Sequence, residues 1–342
     1  MEGLLLDIDV WGPHLTNKKL VSIYFGGGTP ALLGASPLAQ ILEKVRSYTT
    51  FQADQIEITL EANPETISAA LMREYAQAGV NRVSIGIQSL DDRLLHKLGR
   101  THHATTAIKA IEDTTTAGIS NISIDLMYDI PGQTLDAWHH TLQRACELPI
   151  THLSLYNLTI EPHTVFFKYR ETLRKELPDD ECSTRMYQDA IATFEACGLE
   201  QYEISAFARH DLYSRHNVGY WTGRPFLGFG PSAFSYWQKK RFRAVANLNR
   251  YVQALRSGQS PVDFEEELPP LQQQRELLAI ALRLKQGISL STFEGQYGNL
   301  DMETLATLRS LQEKGLIQWN QDHIALTPQG MLFYDTAAVE II

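Results

Sequence analysis

Val21-Ser22-Ile23-Tyr24-Phe25-Gly26-Gly27-Gly28-Thr29-Pro30 sets a β-rich apolar run directly against three glycines. Such a run reads as a strand, and the glycines after it let backbone approach a ligand closely, with bare N–H groups and positive φ allowed. The layout recurs. Residues 56–60 end in Glu61-Ala62-Asn63-Pro64, residues 83–87 end in Gln88, residues 122–127 run on to Pro131-Gly132, and residues 152–156 lead into Thr159, Glu161 and Pro162. Between these runs lie stretches with helical periodicity at 37–48, 66–79, 92–99, 105–118, 135–148 and 181–198, several of them closing on glycine. Strand then helix, repeated, is the signature of βα units with right-handed crossovers and a parallel sheet. A parallel barrel or doubly wound sheet gathers its strand C-termini on one face, so the polar residues at these ends are expected to share one mouth. A last strand is expected over 201–205.

The 342 residues suit one large α/β domain with a smaller appendage. A net charge of −10 leaves no electrostatic footprint for nucleic acid, and the short basic cluster at 239–243 reads as a solvated turn. No leader is evident and no apolar run reaches the roughly 18 residues of a membrane span, so the chain reads as soluble and cytoplasmic, without an integral membrane segment. Cys146, Cys182 and Cys197 are few, odd in number and widely spaced. They read as reduced thiols rather than a disulfide framework or a metal knuckle.

Residues 209–231, rich in Gly, Asn, Tyr and Trp, show no clean period and read as a functional or covering loop. From about 269 the pattern is helical, at 271–283, 291–296 and 302–315, followed by a ribbon over 316–319 and 323–326. Helices followed by a hairpin match a winged helix. Four acids at 263–268 and the lack of basic residues on the recognition-type helix favour a packing or lid role over DNA binding. The expected division is 1–235 for the barrel with its loop, 236–268 for a connecting segment and 269–342 for a helical, winged-helix-like domain.

Glu61 and Asp125 are carboxylates on apolar strands, where burial is costly without a partner; a ribose, an amine or a buried arginine would serve. Arg100 is one candidate partner, or a clamp for a ligand carboxylate. Taken alone, the glycine triplet is equally well read as a tight strand-to-helix turn.

Seven runs together, at 26–30, 60–66, 79–102, 121–134, 152–164, 201–209 and 216–221, resemble the oxygen-independent coproporphyrinogen III oxidase-like family of radical SAM proteins, and within it the haem-chaperone branch. The resemblance implies a partial βα barrel holding S-adenosylmethionine across its strand ends. By position, Gly27, Gly28 and Thr29 would hold the methionyl amine and carboxylate, Glu61 would face the ribose or amine, and Gln88, Arg100 and Asp125 would complete the pocket. His216-Asn217-Val218-Gly219-Tyr220-Trp221 matches a motif linked in that branch to haem. Imidazole can ligate iron while Tyr220 and Trp221 offer flat apolar surface. The competing reading is a structural loop in which His216 satisfies backbone groups and Trp221 plugs the barrel side.

The resemblance also implies a [4Fe-4S] cluster on a Cys-x3-Cys-x2-Cys loop after the first barrel strand, and no cysteine here fits that spacing. Residues 1–4 resemble the helix that follows the loop in the family, so the first strand is expected to be missing, either through a start placed too late or through a true truncation. As it stands the chain is expected to be inactive in radical chemistry. Asp129 replaces a usual Gly, Phe234 a common His and Ser214 a frequent Cys, which removes candidate iron ligands. The expected function is haem binding and transfer to an acceptor protein. The alternative is oxidative decarboxylation of coproporphyrinogen III.

Overall fold

The computed structural model describes residues 1–52, 55–162 and 164–342. His163, within one of the runs above, lies outside them. The chain forms two compact units, one of residues 22–35 and 56–214, the other of residues 1–21, 36–55 and 215–342.

The first unit is built on a seven-stranded sheet. Strands β1 (Ser22–Phe25), β2 (Glu57–Ala62), β3 (Arg82–Gln88), β4 (Asn121–Tyr128) and β5 (His152–Asn157) pair in chain order, all parallel. The run expected over 201–205 is instead a hairpin of β6 (Glu200–Glu203) and β7 (Ala206–Ala208), with β7 antiparallel to β5. The chain reverses across Ile204 and Ser205, and the pairing carries an irregularity between Gln201 and Glu203.

Strand periodicity sorts the side chains onto two faces. Ile58, Leu60, Val83, Ile85, Ile122, Ile124, Leu126, Leu153 and Leu155 are buried on one of them. The other is polar. Register sets Thr59 beside Arg82, Glu61 beside Ser84, Ser84 beside Ser123, Ser123 beside His152 and Asp125 beside Ser154. The helices Ala69–Ala78, Asp92–Lys97, Leu135–Glu147 and Asp180–Ala196 start on side-chain caps from Ser68, Asp91, Thr134 and Asp179, each accepting from a backbone N–H of the first turn.

Helix Leu135–Glu147 lies against helix Asp180–Ala196, with the fully buried Trp138 donating its Nε1–H to the Met186 carbonyl at 2.8 Å. Their C-terminal ends are joined by a disulfide between Cys146 and Cys197, Cα atoms 5.9 Å apart. Only Cys182 is free. The expectation of three reduced thiols is corrected here, since helix packing brings together two cysteines that are 51 residues apart in sequence.

The second unit opens with helix Glu2–Trp11, whose buried Asp7 accepts from the Tyr251 hydroxyl at 2.6 Å and from the Gly230 N–H at 3.4 Å. Its antiparallel sheet comprises β8 (Phe234–Trp237), β9 (Lys240–Ala244) and β10 (Val262–Glu267). Of the basic cluster read as a solvated turn, Lys239 lies in the turn and residues 240–243 are in strand β9. Lys240 faces Glu265 at 2.8 Å, Arg241 faces Glu266 and Glu276 at 2.7 and 2.6 Å, and Arg243 faces Asp263 at 3.0 Å. The acids of 263–267 are therefore the cross-strand partners of the basic run.

Helices Pro270–Ala281, Leu290–Tyr297 and Met302–Glu313 follow. A small sheet of β11 (Ile288–Ser289), β12 (Ile317–Asn320) and β13 (His323–Leu326) completes the helical C-terminal part. The stretch read as a covering loop carries helix Arg215–Trp221. Among the described residues no helix is long and apolar enough to cross a membrane.

Candidate functional site

Leaving β1, the chain enters its glycine triplet with Gly27 and Gly28 at φ of 79° and 72°. A Cβ added at either would meet nothing within 4 Å, so this backbone borders open space. Gly26 is different: a Cβ there would lie 2.6 Å from Tyr24 Cε1 and 3.1 Å from Glu61 Cδ. Glu61 explains the crowding. It accepts the Gly27 N–H at 3.0 Å and the Tyr24 hydroxyl at 2.7 Å, tying the loop to β1 and β2. Burial, with the Glu61 charge beside it, pushes the Tyr24 hydroxyl well above its ordinary pKa and keeps it a donor. A carboxylate offers about four lone-pair sites. Glu61 thus keeps accepting capacity for a ligand hydroxyl or amine while it shapes the loop.

Thr29 receives a bond from Asn63 Nδ2 at 3.3 Å, linking the loop to the turn after β2. At the tip of β3 the register slips between Ile85 and Gln88, and Gln88 takes φ of 64°, a conformation L-residues rarely adopt. This kink lays the Gln88 amide over Gly86, where a Cβ would sit 3.1 Å from Gln88 Nε2 and 3.7 Å from Asn63 Oδ1.

One strand further on, burial raises Asp125 to about 6, opposed by a bond from Ser154 and by the charges of Arg82 and Arg100. Thr29, Glu61, Gln88 and Asp125, with the open backbone of Gly27 and Gly28, therefore lie on or just after neighbouring parallel strands, and the charge of Arg100 reaches Asp125.

Tyr24, Asn63 and Ser154 touch the rim residues and escaped the sequence reading; Arg82, at the opposite end of β3 on the same face, reaches Asp125 by its charge. Arg82 is 2% exposed. Its signal was a cation opening an apolar strand, in register with Thr59. Deeper in the same face, His152 bonds Ser123 at 2.8 Å and Tyr202 at 2.9 Å, and burial holds its pKa well below the usual histidine range. Asp129, at φ of 61°, stands where a left-handed residue is needed, and accepts from Asn157 and Ser183.

The second unit carries the other candidate set on helix Arg215–Trp221. His216 Nε2 meets the Tyr220 hydroxyl at 2.9 Å, one helical turn on, and Tyr220 stands edge-on to Phe226 with centroids 4.7 Å apart. Asn217 is half-buried on the same helix. Trp221 turns elsewhere: the Arg283 guanidinium lies 4.3 Å from its ring centroid, and its buried Nε1–H has no hydrogen-bond partner. The motif therefore splits into a His216–Tyr220 pair and a Trp221 packed under the C-terminal helices.

Among the described residues no group of three or more His, Cys, Asp or Glu could hold a metal ion. With two of three cysteines joined to each other, the residues of this chain do not fit a [4Fe-4S] cluster.

Two family models match, the radical SAM superfamily over residues 14–145 and the HemN C-terminal domain over 268–333. The heme chaperone HemW of Bacillus subtilis is 35% identical over 314 residues, covering 92% of this chain and 83% of that protein. The heme chaperone HemW of Haemophilus influenzae is 32% identical over 338 residues, covering 97% and 86%. The solved coproporphyrinogen III oxidase HemN of Escherichia coli superposes with a TM-score of 0.85 at 23% identity, covering 99% of this chain and 82% of that one, a likeness of fold. The chain belongs to the radical SAM superfamily, in the group of the HemW proteins.

Proposed function

We propose that the protein is a cytoplasmic haem-binding chaperone that passes haem to an acceptor protein and holds S-adenosylmethionine at the rim of its parallel sheet. The similarity to heme chaperones along more than nine-tenths of the chain carries this reading. The rim supports the nucleotide part. Gly28 offers a backbone donor over open space and Gly27, its own N–H held by Glu61, an uncrowded wall, Thr29 a hydroxyl, Glu61 an acceptor for ribose or amine, Arg100 a cation for the methionyl carboxylate, and Asp125 an anion for the ligand's positive end. Gln88 adds an amide that can donate and accept. When bound, S-adenosylmethionine supplies a sulfonium centre and a transferable adenosyl or methyl group. Porphyrinogen decarboxylation has no specific observation in its favour, since the likeness to the oxidase is one of fold.

For haem, His216 would be the ligand to iron and Tyr220 the ring surface, with Asn217 beside them. Trp221, packed under Arg283, would act through the helix it anchors. Titration with haem tests this. His216→Ala is expected to weaken binding about tenfold or more and to shift the Soret band, as loss of an axial ligand does. Unchanged affinity and spectrum remove His216 from the site. S-adenosylmethionine binding by calorimetry tests the rim, and absence of binding to the folded protein rejects that part of the reading.

A further inference from the structure

The kink that presents Gln88 needs a support, because a glutamine at φ of 64° is held against its own preference. The support is visible at the preceding residue. The Ile87 carbonyl accepts the Ser89 N–H at 2.8 Å, the tight turn that makes the kink, and the His102 ring Nε2 at 3.2 Å. A carbonyl can only accept, so Nε2 carries the hydrogen. His102 is 4% exposed, and burial lowers its pKa, which keeps the ring neutral at neutral pH. Its other nitrogen, Nδ1, is buried without a hydrogen-bond partner, 3.5 Å from the Glu65 carboxylate. Glu65 in turn accepts from the Thr101 hydroxyl at 3.3 Å.

His102 thus sits where three segments meet: the short helix Pro64–Thr66 after Asn63, the tip of β3 with Gln88, and the chain that leaves Arg100. Two of these, the β3 tip and the Arg100 segment, carry groups assigned above to the nucleotide, and the third adjoins Asn63. We propose that His102 is a positioning residue for adenosyl-ligand binding, its Nε2–H fixing the Ile87 carbonyl and through it the left-handed Gln88 whose amide covers Gly86. The proposal rests on the reading that Gln88 contacts S-adenosylmethionine.

The test is a double-mutant cycle read by calorimetric binding of S-adenosylmethionine and S-adenosylhomocysteine, with urea unfolding alongside. His102→Leu removes the donor at similar size and is expected to weaken binding about tenfold, the scale of one lost hydrogen bond at a site. His102→Gln keeps an N–H at similar reach and is expected to stay within about threefold of the wild type. In a Gln88→Ala background, His102→Leu is expected to cost less than about twofold, since the group it positions is gone. An equal loss in both backgrounds overturns the proposal, as does full affinity in folded His102→Leu.

Should His102→Leu fail to fold, two measurements decide. Long-range nitrogen NMR of the wild type is expected to show the Nε2–H tautomer, and an Nδ1–H tautomer refutes the support. Gly86→Ala, which drives a methyl to 3.1 Å from the Gln88 amide, is expected to weaken binding, and wild-type affinity in it refutes the role of Gln88. Wild-type protein that binds neither ligand overturns the nucleotide reading itself, an outcome distinct from binding that ignores His102.

Discussion

Asp125→Asn makes the protein more stable at pH 7 and a weaker binder of S-adenosylmethionine. The wild-type carboxyl, mostly buried on β4, sits at about 6 against an ordinary value of 3.8, with burial the main cause. A raised folded-state value means the stability that protonated Asp125 allows is fully present below pH 3.8 and is lost as pH rises through 6. A shift of this size has a ceiling of about 3 kcal/mol, and residual solvent access reduces it to about 1–2 kcal/mol.

Asparagine keeps the shape and can still accept from Ser154, so the variant escapes that cost. Its unfolding free energy should exceed the wild type's at pH 7 and converge with it near pH 4, as urea unfolding at the two values will show. Binding moves the other way. A ligand with a sulfonium and an amine favours the anionic carboxylate, so wild-type affinity should rise with pH through about 6 while the variant's stays flat and about tenfold lower at pH 7. Parallel pH profiles in the two proteins would remove Asp125 from contact with the ligand's cationic groups.

Gly26→Ala is the second large effect. The added methyl would fall 2.6 Å from the Tyr24 ring, which cannot retreat without breaking its 2.7 Å bond to Glu61. Glu61 in turn holds the Gly27 N–H, so the disturbance passes to the two glycines over open space. Overpacking of this kind costs about 1–3 kcal/mol. Affinity for S-adenosylmethionine should fall at least about tenfold, because the glycine loop and Glu61 lose their placement. Gly295→Ala, in the second unit with nothing within 4 Å of the added Cβ, is the control and should leave binding unchanged. Wild-type affinity in folded Gly26→Ala would show that the loop does not hold the ligand.

The strands were legible because parallel, two-sided burial writes near-continuous apolar runs, and the helices because glycine and capping residues punctuate them. Gly27, Glu61, Gln88 and Asp125 could be placed at one rim from strand ends alone. Three things could not. Cross-strand register is not written in any single strand, so Arg82 beside Thr59 and the pairing of β9 with β10 escaped notice. Residues 215–221 have too few apolar positions to show a helical period, so the His216 segment looked like a loop. The partnership of Cys146 with Cys197 depends on two helices lying together, which no local pattern announces.

That partnership has a consequence for the polymer rather than for the folded sheet. The bond converts the stretch from Cys146 to Cys197 into a ring of about fifty residues, holding β5 and the helix beside it. An unfolded ring has fewer shapes to explore than an open strand, a restriction worth about 4 kcal/mol for this length in the chain-entropy picture. The surroundings therefore set how easily the molecule comes apart: a thiol reductant that leaves every strand pairing intact still lowers the entropic barrier against losing them.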